Sequence, residues 1–390
     1  MTKEKKANFA FLAAILLVAF NLRSPITGVG TLVRSIQSDL QLSGSVAGFL
    51  TTIPLLAFAL VSPLASRIAR KVGLGRALFL SLSVLTVGIL LRSNLGQSGL
   101  LAGTAVIGIG IACANVLLPV VVKARYPDRI GFMTGMYSTA QTVFAGLSSA
   151  ICVPLAALTG LGWRFALGVW ALPSAIAALL WFSRRSLTID DTPRESDRPV
   201  NVWRSPVAWF CTLYMGTQAL LFYSVSAWLP SILASRGVDA ATAGMLASLY
   251  QLIGIPANFL TPLIAGRMKN HRLLTGAISA LYVPGMVLLW AARGMGAITA
   301  SVLLIGFSTG CCFSLCMALI GLRTRCAADA AALSGMLQSV GYLIAAAGPV
   351  VVGKLFDISG GWTWPVIALI AGTLFNALLG QLAGRPGTVE

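Results

Sequence analysis

The stretch from Arg184 to Arg204, RRSLTIDDTPRESDRPVNVWR, holds four acidic and five basic side chains and two prolines in 21 residues. Such a segment cannot enter hydrocarbon, where a single charge at the helix centre costs about 3 kcal/mol or more. It is the only long hydrophilic run in the 390 residues and falls almost at their middle. The chain on either side is apolar in long runs. Upstream they cover roughly residues 8–36, 44–66, 76–93, 99–122, 132–158 and 164–183. Downstream they cover roughly 205–233, 240–266, 273–292, 296–322, 331–356 and 362–383. Each run matches the roughly 20 residues that cross a bilayer core as a helix.

Composition agrees with this count. Hydrophobic residues make up 57% and charged residues 10%, with a mean hydropathy of +0.86, against roughly 25% charged residues in a soluble domain. The 40 glycines and 17 prolines suit helices in lipid, where neighbouring helices satisfy the backbone groups that these residues free. A helical bundle is therefore expected rather than a barrel. The net charge of +17 does not indicate nucleic acid, because the cations sit in short connections between apolar runs. Lys3, Lys5 and Lys6 precede the first run without a cleavage site, so that run is read as a retained helix. The seven cysteines do not suggest a disulfide framework. Cys311, Cys312 and Cys316 share one run with no His or carboxylate, so packing is expected there and no metal.

The basic residues orient the chain. On alternating connections, 21 of the 28 Lys and Arg fall on the side of both termini and the central linker. Arg34, Arg92, Arg164, Arg236, Arg293 and Lys354 fall on the other, and Arg23 is left inside the membrane. By the positive-inside rule both termini and the linker are cytoplasmic. The halves also repeat one another. Ser62-Pro-Leu-Ala-Ser-Arg67 matches Thr261-Pro-Leu-Ile-Ala-Gly266 at an offset of 199 residues, Thr134-Gly-Met136 matches Ser334-Gly-Met336 at 200, and Ile107-Gly108 matches Ile305-Gly306 at 198. Six helices per repeat keep the two halves in the same orientation, the parallel duplication of a secondary transporter.

The segment Ser62 to Arg76, SPLASRIARKVGLGR, resembles the signature between the second and third helices of the major facilitator superfamily. Arg67, Arg70 and Lys71 keep its basic positions, while Ser62, Ser66 and Ala69 stand where Gly, Asp and Gly are usual. More narrowly, the chain resembles the cyanate permease and 2-nitroimidazole exporter family over essentially its whole length, and looks closer to the 2-nitroimidazole branch. The residues that carry this are Asn21-Leu-Arg-Ser-Pro-Ile-Thr-Gly28, Leu50-Thr-Thr-Ile-Pro-Leu-Leu-Ala-Phe-Ala-Leu60, Ala332-Leu-Ser-Gly-Met336 and Gln338-Ser-Val-Gly-Tyr-Leu343. The resemblance implies an all-α membrane protein of twelve transmembrane helices, in two parallel six-helix bundles at residues 1–183 and 205–390, joined by a cytoplasmic linker at 184–204. It also implies a gating loop containing Arg67, Arg70 and Lys71.

Arg23 is the leading candidate for solute contact. It lies about 22 Å along the first helix from Asn8, past the middle of the core, where snorkelling is difficult. A planar guanidinium offers a fork of donors to a nitro group, a carboxylate or cyanate. The structural alternative is that it binds helix-end carbonyls and holds the first helix in place. Asn21 and Thr27 flank it. On spans that line the cavity in this superfamily, Tyr214 and Gln218 lie four apart, as do Gln338 and Tyr342, and Gln141 shares a face with Ser138 and Thr142. Asn115 and Tyr250 complete the substrate-binding candidates, and Asn258 stands beside them as a further polar residue of the eighth span. Each of these residues could equally make interhelical hydrogen bonds.

All 11 acidic residues fall in connections or at span ends, and the single histidine, His271, follows the eighth span. No midplane carboxylate or imidazole is available as a proton relay, and no nucleophile with a base is available for an intramembrane enzyme. A receptor would be expected to carry a soluble output domain. The expectation is a secondary transporter of the bacterial inner membrane, without cofactor, working as a monomer. Its partners would be a small-molecule substrate and the lipid bilayer, with no nucleic acid. The favoured substrate is a 2-nitroimidazole-like compound moved outward; the alternative is uptake of cyanate or another small anion.

Overall fold

The computed structural model describes residues 3–42, 44–187 and 200–389, and among them every regular element is helical. Twelve helical segments are long and apolar enough to cross a membrane, from Ala10–Val33 to Thr363–Ala383. The all-α, twelve-span fold is therefore present, with boundaries shifted by a few residues.

The first half contains α1 (Lys3–Asn21), α2 (Ser24–Leu40), α3 (Gly44–Val72), α4 (Leu74–Asn94), α5 (Gly96–Arg125), α6 (Ile130–Ala157), α7 (Trp163–Gly168) and α8 (Ala171–Phe182). The second contains α9 (Pro206–Ala234), α10 (Ala240–Leu252), α11 (Gly254–Ala265), α12 (Arg272–Ala291), α13 (Met295–Leu322), α14 (Ala327–Ser359) and α15 (Thr363–Ala383). The first span, expected as one helix, is broken between α1 and α2. The second span outruns its expected end at residue 66 and continues to Val72, so Arg67, Arg70 and Lys71 ride exposed on the last turns of α3 rather than in a loop.

The helices gather into two compact units. Unit 1 comprises the described residues of Met1–Tyr126, Met136–Glu195 and Cys326–Gly335; unit 2 comprises those of Pro127–Gly135, Ser196–Arg325 and Met336–Glu390. In unit 1, α4 packs on α5 and α8, and α3 on α5; in unit 2, α12 packs on α13 and α15, and α11 on α13. Lipid supplies no hydrophobic drive between helices, so close backbone approach over small residues has to hold them. The repeat reappears in that packing. On α5, a Cβ at Gly108 would lie 2.7 Å from Ala57 and 3.2 Å from Pro54 of α3. Its counterpart on α13, Gly306, abuts the backbone of Tyr250 and the side chain of Ile253.

At the end of unit 2 that carries the C-terminus, one guanidinium ties four helix ends together. Arg323 donates from Nη1 to the Gly387 carbonyl at 3.0 Å and from Nη2 to the Ala383 carbonyl at 3.2 Å. Nη2 also donates to His271 Nδ1 at 3.0 Å. Because Nδ1 is the acceptor there, the proton of the neutral ring sits on Nε2, which donates to the Ala265 carbonyl at 3.0 Å. The backbone closes the knot, with His271 N–H donating to the Gly384 carbonyl at 2.9 Å and Val389 N–H to the Arg323 carbonyl at 2.8 Å.

Burial holds the His271 imidazole below its ordinary range, the Arg323 charge acts in the same direction, and the Ala265 carbonyl opposes them. A folded-state pKa below the unfolded value means that this stability is complete above the ordinary histidine pKa of about 6.5 and is lost as pH falls through the folded-state value. The thermal unfolding midpoint should therefore decline on acidification from about pH 7 to pH 5. His271→Gln, which keeps a donor and an acceptor and does not titrate, should flatten that decline. Equal slopes in thermal scans of the two proteins would show that the knot does not sense protons.

Candidate functional site

The break in the first span follows from Pro25. Proline has no N–H to continue the ladder and clashes with the carbonyl four residues earlier, and here it opens α2 as one of its first two residues. Leu22 and Arg23 form the turn, with Arg23 at φ −123° and ψ −41°. The new helix begins when the Ile26 and Thr27 N–H groups donate to the Arg23 carbonyl at 3.0 and 3.1 Å.

A broken helix in an apolar slab leaves backbone groups that water cannot reach, so side chains must satisfy them. Asn21 Nδ2 donates to the Leu17 carbonyl at 2.8 Å and to that of Pro173 at 3.3 Å. Ser24 Oγ donates back to Phe20 at 2.7 Å, and Ser148 Oγ of α6 donates to the Ser24 carbonyl at 2.7 Å. Thr27 Oγ1 donates to the Ala145 carbonyl at 3.1 Å. Aromatic rings wall the upstream side, with Phe20 edge-on to Phe144 at 4.4 Å and tilted against Trp170 at 5.6 Å. Arg23 is half-buried at the turn itself.

The structure adds a residue that sequence reading placed outside the membrane. Arg92 lies in the last turn of α4 and is 1% exposed. Its Nη1 donates to the Pro25 carbonyl at 2.6 Å, while Nε and Nη2 are buried without a hydrogen-bond partner. Arg164 pairs with Asp39 at 2.6 Å, and no carboxylate among the described residues pairs with Arg92. The break in the first span thus joins two guanidinium groups, one half-exposed at the turn and one sealed behind it. Arg92 escaped notice because the Ser93-Asn94-Leu95-Gly96 sequence after it reads as a connection. The glycines that admit α4 to α5 gave a signal: a side chain at Gly103 would strike the Arg92 backbone, and one at Gly88 would meet Ile107 at 2.7 Å.

The remaining candidates fall into two groups. In unit 1, Gln141 is buried one turn before Phe144 on α6, and Asn115 is half-buried on α5. In unit 2, Gln218 Nε2 donates to the Thr309 carbonyl at 3.3 Å, and Tyr250 stacks on Phe222 at 6.0 Å with its hydroxyl facing Thr309 and Ser226. Tyr214 donates its hydroxyl to Cys312 Sγ at 3.3 Å and receives a bond on its carbonyl from Asn376 Nδ2 at 3.0 Å. Gln338 and Tyr342 are buried on α14. Thr309 and Asn376 are the residues of this second group that sequence reading missed, since single hydroxyl and amide side chains in apolar runs carry no periodic signal.

A buried cation without a counter-ion costs several kcal/mol to desolvate, and an apolar side chain of similar length at Arg92 removes that cost at the loss of one bond to the Pro25 carbonyl. Arg92→Met should therefore leave the thermal midpoint unchanged or raised, while lowering solute flux into proteoliposomes by about tenfold. A variant that fails to fold would reduce Arg92 to a helix clamp. One that folds and transports normally would remove it from the site.

Residues 10–346 match the family model for the Major Facilitator Superfamily. The chain is 42% identical to an uncharacterized transporter of Bacillus subtilis, YycB, over 98% of its own length and 95% of that protein's. It is 39% identical to the 2-nitroimidazole transporter of Escherichia coli, over 97% and 96% of the two chains. To the cyanate transport protein CynX of the same organism it is 29% identical, over 90% and 91%. Among solved structures, the proton:xylose symporter XylE superposes with a TM-score of 0.81 at 13% identity, covering 98% of this chain and 97% of the other. Twelve spans, a repeated six-helix pattern and relatives over its full length lead to one conclusion: the chain belongs to the Major Facilitator Superfamily, in the group of the 2-nitroimidazole and cyanate transporters.

Proposed function

We propose that this protein exports a small planar solute of the 2-nitroimidazole kind across the bacterial inner membrane by alternating access, with Arg23 contacting the solute. As a member of its superfamily the protein is a membrane transporter of small solutes and not an enzyme. The observation that carries the finer reading is the half-buried guanidinium at a helix break walled by Phe20, Phe144 and Trp170. A fork of donors beside aromatic rings suits a flat ring bearing a nitro group. Identity of 39% to the 2-nitroimidazole transporter supports this substrate. The 29% identity to CynX favours a second reading, uptake of cyanate or another small anion drawn to the same cation.

In this reading the remaining candidates, Asn21, Thr27, Asn115, Gln141, Tyr214, Gln218, Tyr250, Gln338 and Tyr342, supply the polar spots of the solute path. Arg67, Arg70 and Lys71 gate it from the end of α3. Residues 1–183 and 205–390 act as the two bundles, 184–204 links them in the cytoplasm, and the protein works as a monomer.

Removing a cation that pairs with the solute in a partly dehydrated cavity should cost roughly 2 to 5 kcal/mol of binding. Arg23→Ala should then weaken binding of 2-nitroimidazole by more than about tenfold, and Arg23→Lys should restore little, because an ammonium is a point donor. The measurement is the rise of the thermal midpoint with added 2-nitroimidazole, since a ligand of the native state raises its stability. Normal binding and flux in both variants would eliminate Arg23 as ligand and gate, and cyanate replacing 2-nitroimidazole in this assay would establish the second reading.

Orientation is tested separately. A reporter fused after Arg194 should be active only in the cytoplasm, and one after Gln97 only outside it, because of the 21 to 6 division of basic residues. The opposite pattern would reverse the assigned direction of every span.

A further inference from the structure

At the end of unit 2 opposite the Arg323 knot, the ends of α9, α12 and α14 and the start of α15 border an open cavity of about 500 Å3. That volume falls within the range of small-molecule sites. Its aromatic wall is a packed series: Phe356 lies 4.5 Å from Trp362, and Trp362 lies 5.5 Å from Trp228. Trp228 is fixed in turn by a bond from Nε1 to the Pro349 carbonyl at 2.9 Å. Trp290 faces the cavity from α12. The neighbouring Trp364, 61% exposed, lies outside this lining.

Arg236 closes the other side. Its Nη2 donates to the Trp290 carbonyl at 3.3 Å, and its Nη1, shielded from bulk water, has no hydrogen-bond partner. Arg236 forms no ion pair among the described residues. The positive end of the α15 dipole opens on the same space through Thr363, and no side chain caps that helix. Gly360, at φ +67°, and Gly361 bare the backbone at the rim, where an added Cβ would meet nothing within 4 Å. Lys354 and Asp357 are exposed on the last turns of α14, outside the lining.

We infer that this cavity is a second binding site, for a single-ring aromatic anion, with the ring against Trp362 and Phe356 and the negative group between Arg236 and the start of α15. The site lies outside the first-span break and does not depend on the role proposed for Arg23. Cation and helix dipole favour one negative charge, and stacked rings favour a flat apolar body. A phospholipid headgroup would use the charge and ignore the rings.

The test uses the full chain in nanodiscs of zwitterionic lipid, with 4-nitrobenzoate as probe and tryptophan quenching as readout. Thermal scans restrict the comparison to folded variants. Arg236→Gln should weaken binding by about tenfold and leave binding of the uncharged methyl ester unchanged. Trp362→Phe should keep the affinity and lose part of the quenching amplitude, whereas Trp362→Ala should lose the affinity. Probe binding that survives Arg23→Gln and is lost in Arg236→Gln belongs to this site, and binding lost only in Arg23→Gln overturns the inference. Unchanged affinity in Arg236→Gln overturns the inference. So does displacement of the probe by phosphatidylglycerol or inorganic phosphate in a manner indifferent to Trp362.

Discussion

Every backbone N–H and C=O at membrane depth must find a partner within the protein, and the rest of this structure depends on how that demand is met. Continuous helices meet it by themselves. Where Pro25 interrupts the ladder, the demand passes to side chains: Asn21, Ser24, Thr27, Ser148 and Arg92 each bond a main-chain carbonyl at or beside the break. The site is therefore built from structural necessity. Polar side chains gather there because the broken backbone requires them, and in an apolar slab they offer a strong hydrogen-bonding surface. Arg23, in the turn itself, inherits that setting.

The same constraint explains why glycine decides the packing. Helices that cannot gain from hydrophobic association in lipid gain from contact, and contact is closest where no side chain intervenes. Gly108 against Pro54 and Ala57, and Gly306 against Tyr250 and Ile253, place the corresponding helices of the two repeats in the same register. The offset of 198 residues between those glycines was visible in the sequence, and it survives as a geometric correspondence because both positions are sterically intolerant of anything larger.

What the sequence made legible was what depends on long averages. Twelve spans follow from hydropathy over about 20 residues each, and the family from motifs spread over the whole length. Features set by single contacts were not legible. The break at Arg23 needed the local competition between Pro25 and an apolar helix, which a hydropathy window smooths away. Arg92 read as a loop cation because its neighbours Ser93 and Asn94 are polar, yet three-dimensional packing seals it to 1% exposure. Arg67, Arg70 and Lys71 read as a loop because charge usually ends a span, but amphipathic stems let the helix run to Val72 with the charged heads outside. Tyr214 shows the limit of facial periodicity: it keeps the four-residue spacing to Gln218, and its hydroxyl is nevertheless given to Cys312 within unit 2.

The two repeats share a scaffold and diverge in the chemistry placed on it. At an offset of 199 residues, Arg23 corresponds to Phe222, and at 198 Arg92 corresponds to Trp290. Cations in the first half are thus replaced by rings in the second, and Phe222 stacks on Tyr250 where its counterpart sits at a helix break. The backbone follows the side chains. Pro25 corresponds to Ser224, which has an N–H to give, and α9 runs unbroken from Pro206 to Ala234. Conversely α3 passes through Pro54 intact, while its counterpart divides into α10 and α11 at Ile253, just before Pro256. The helix break thus stands in the first span of one half, beside Arg23 and Arg92, and in the second span of the other, while Phe222 and Trp290 occupy the positions that correspond to those cations.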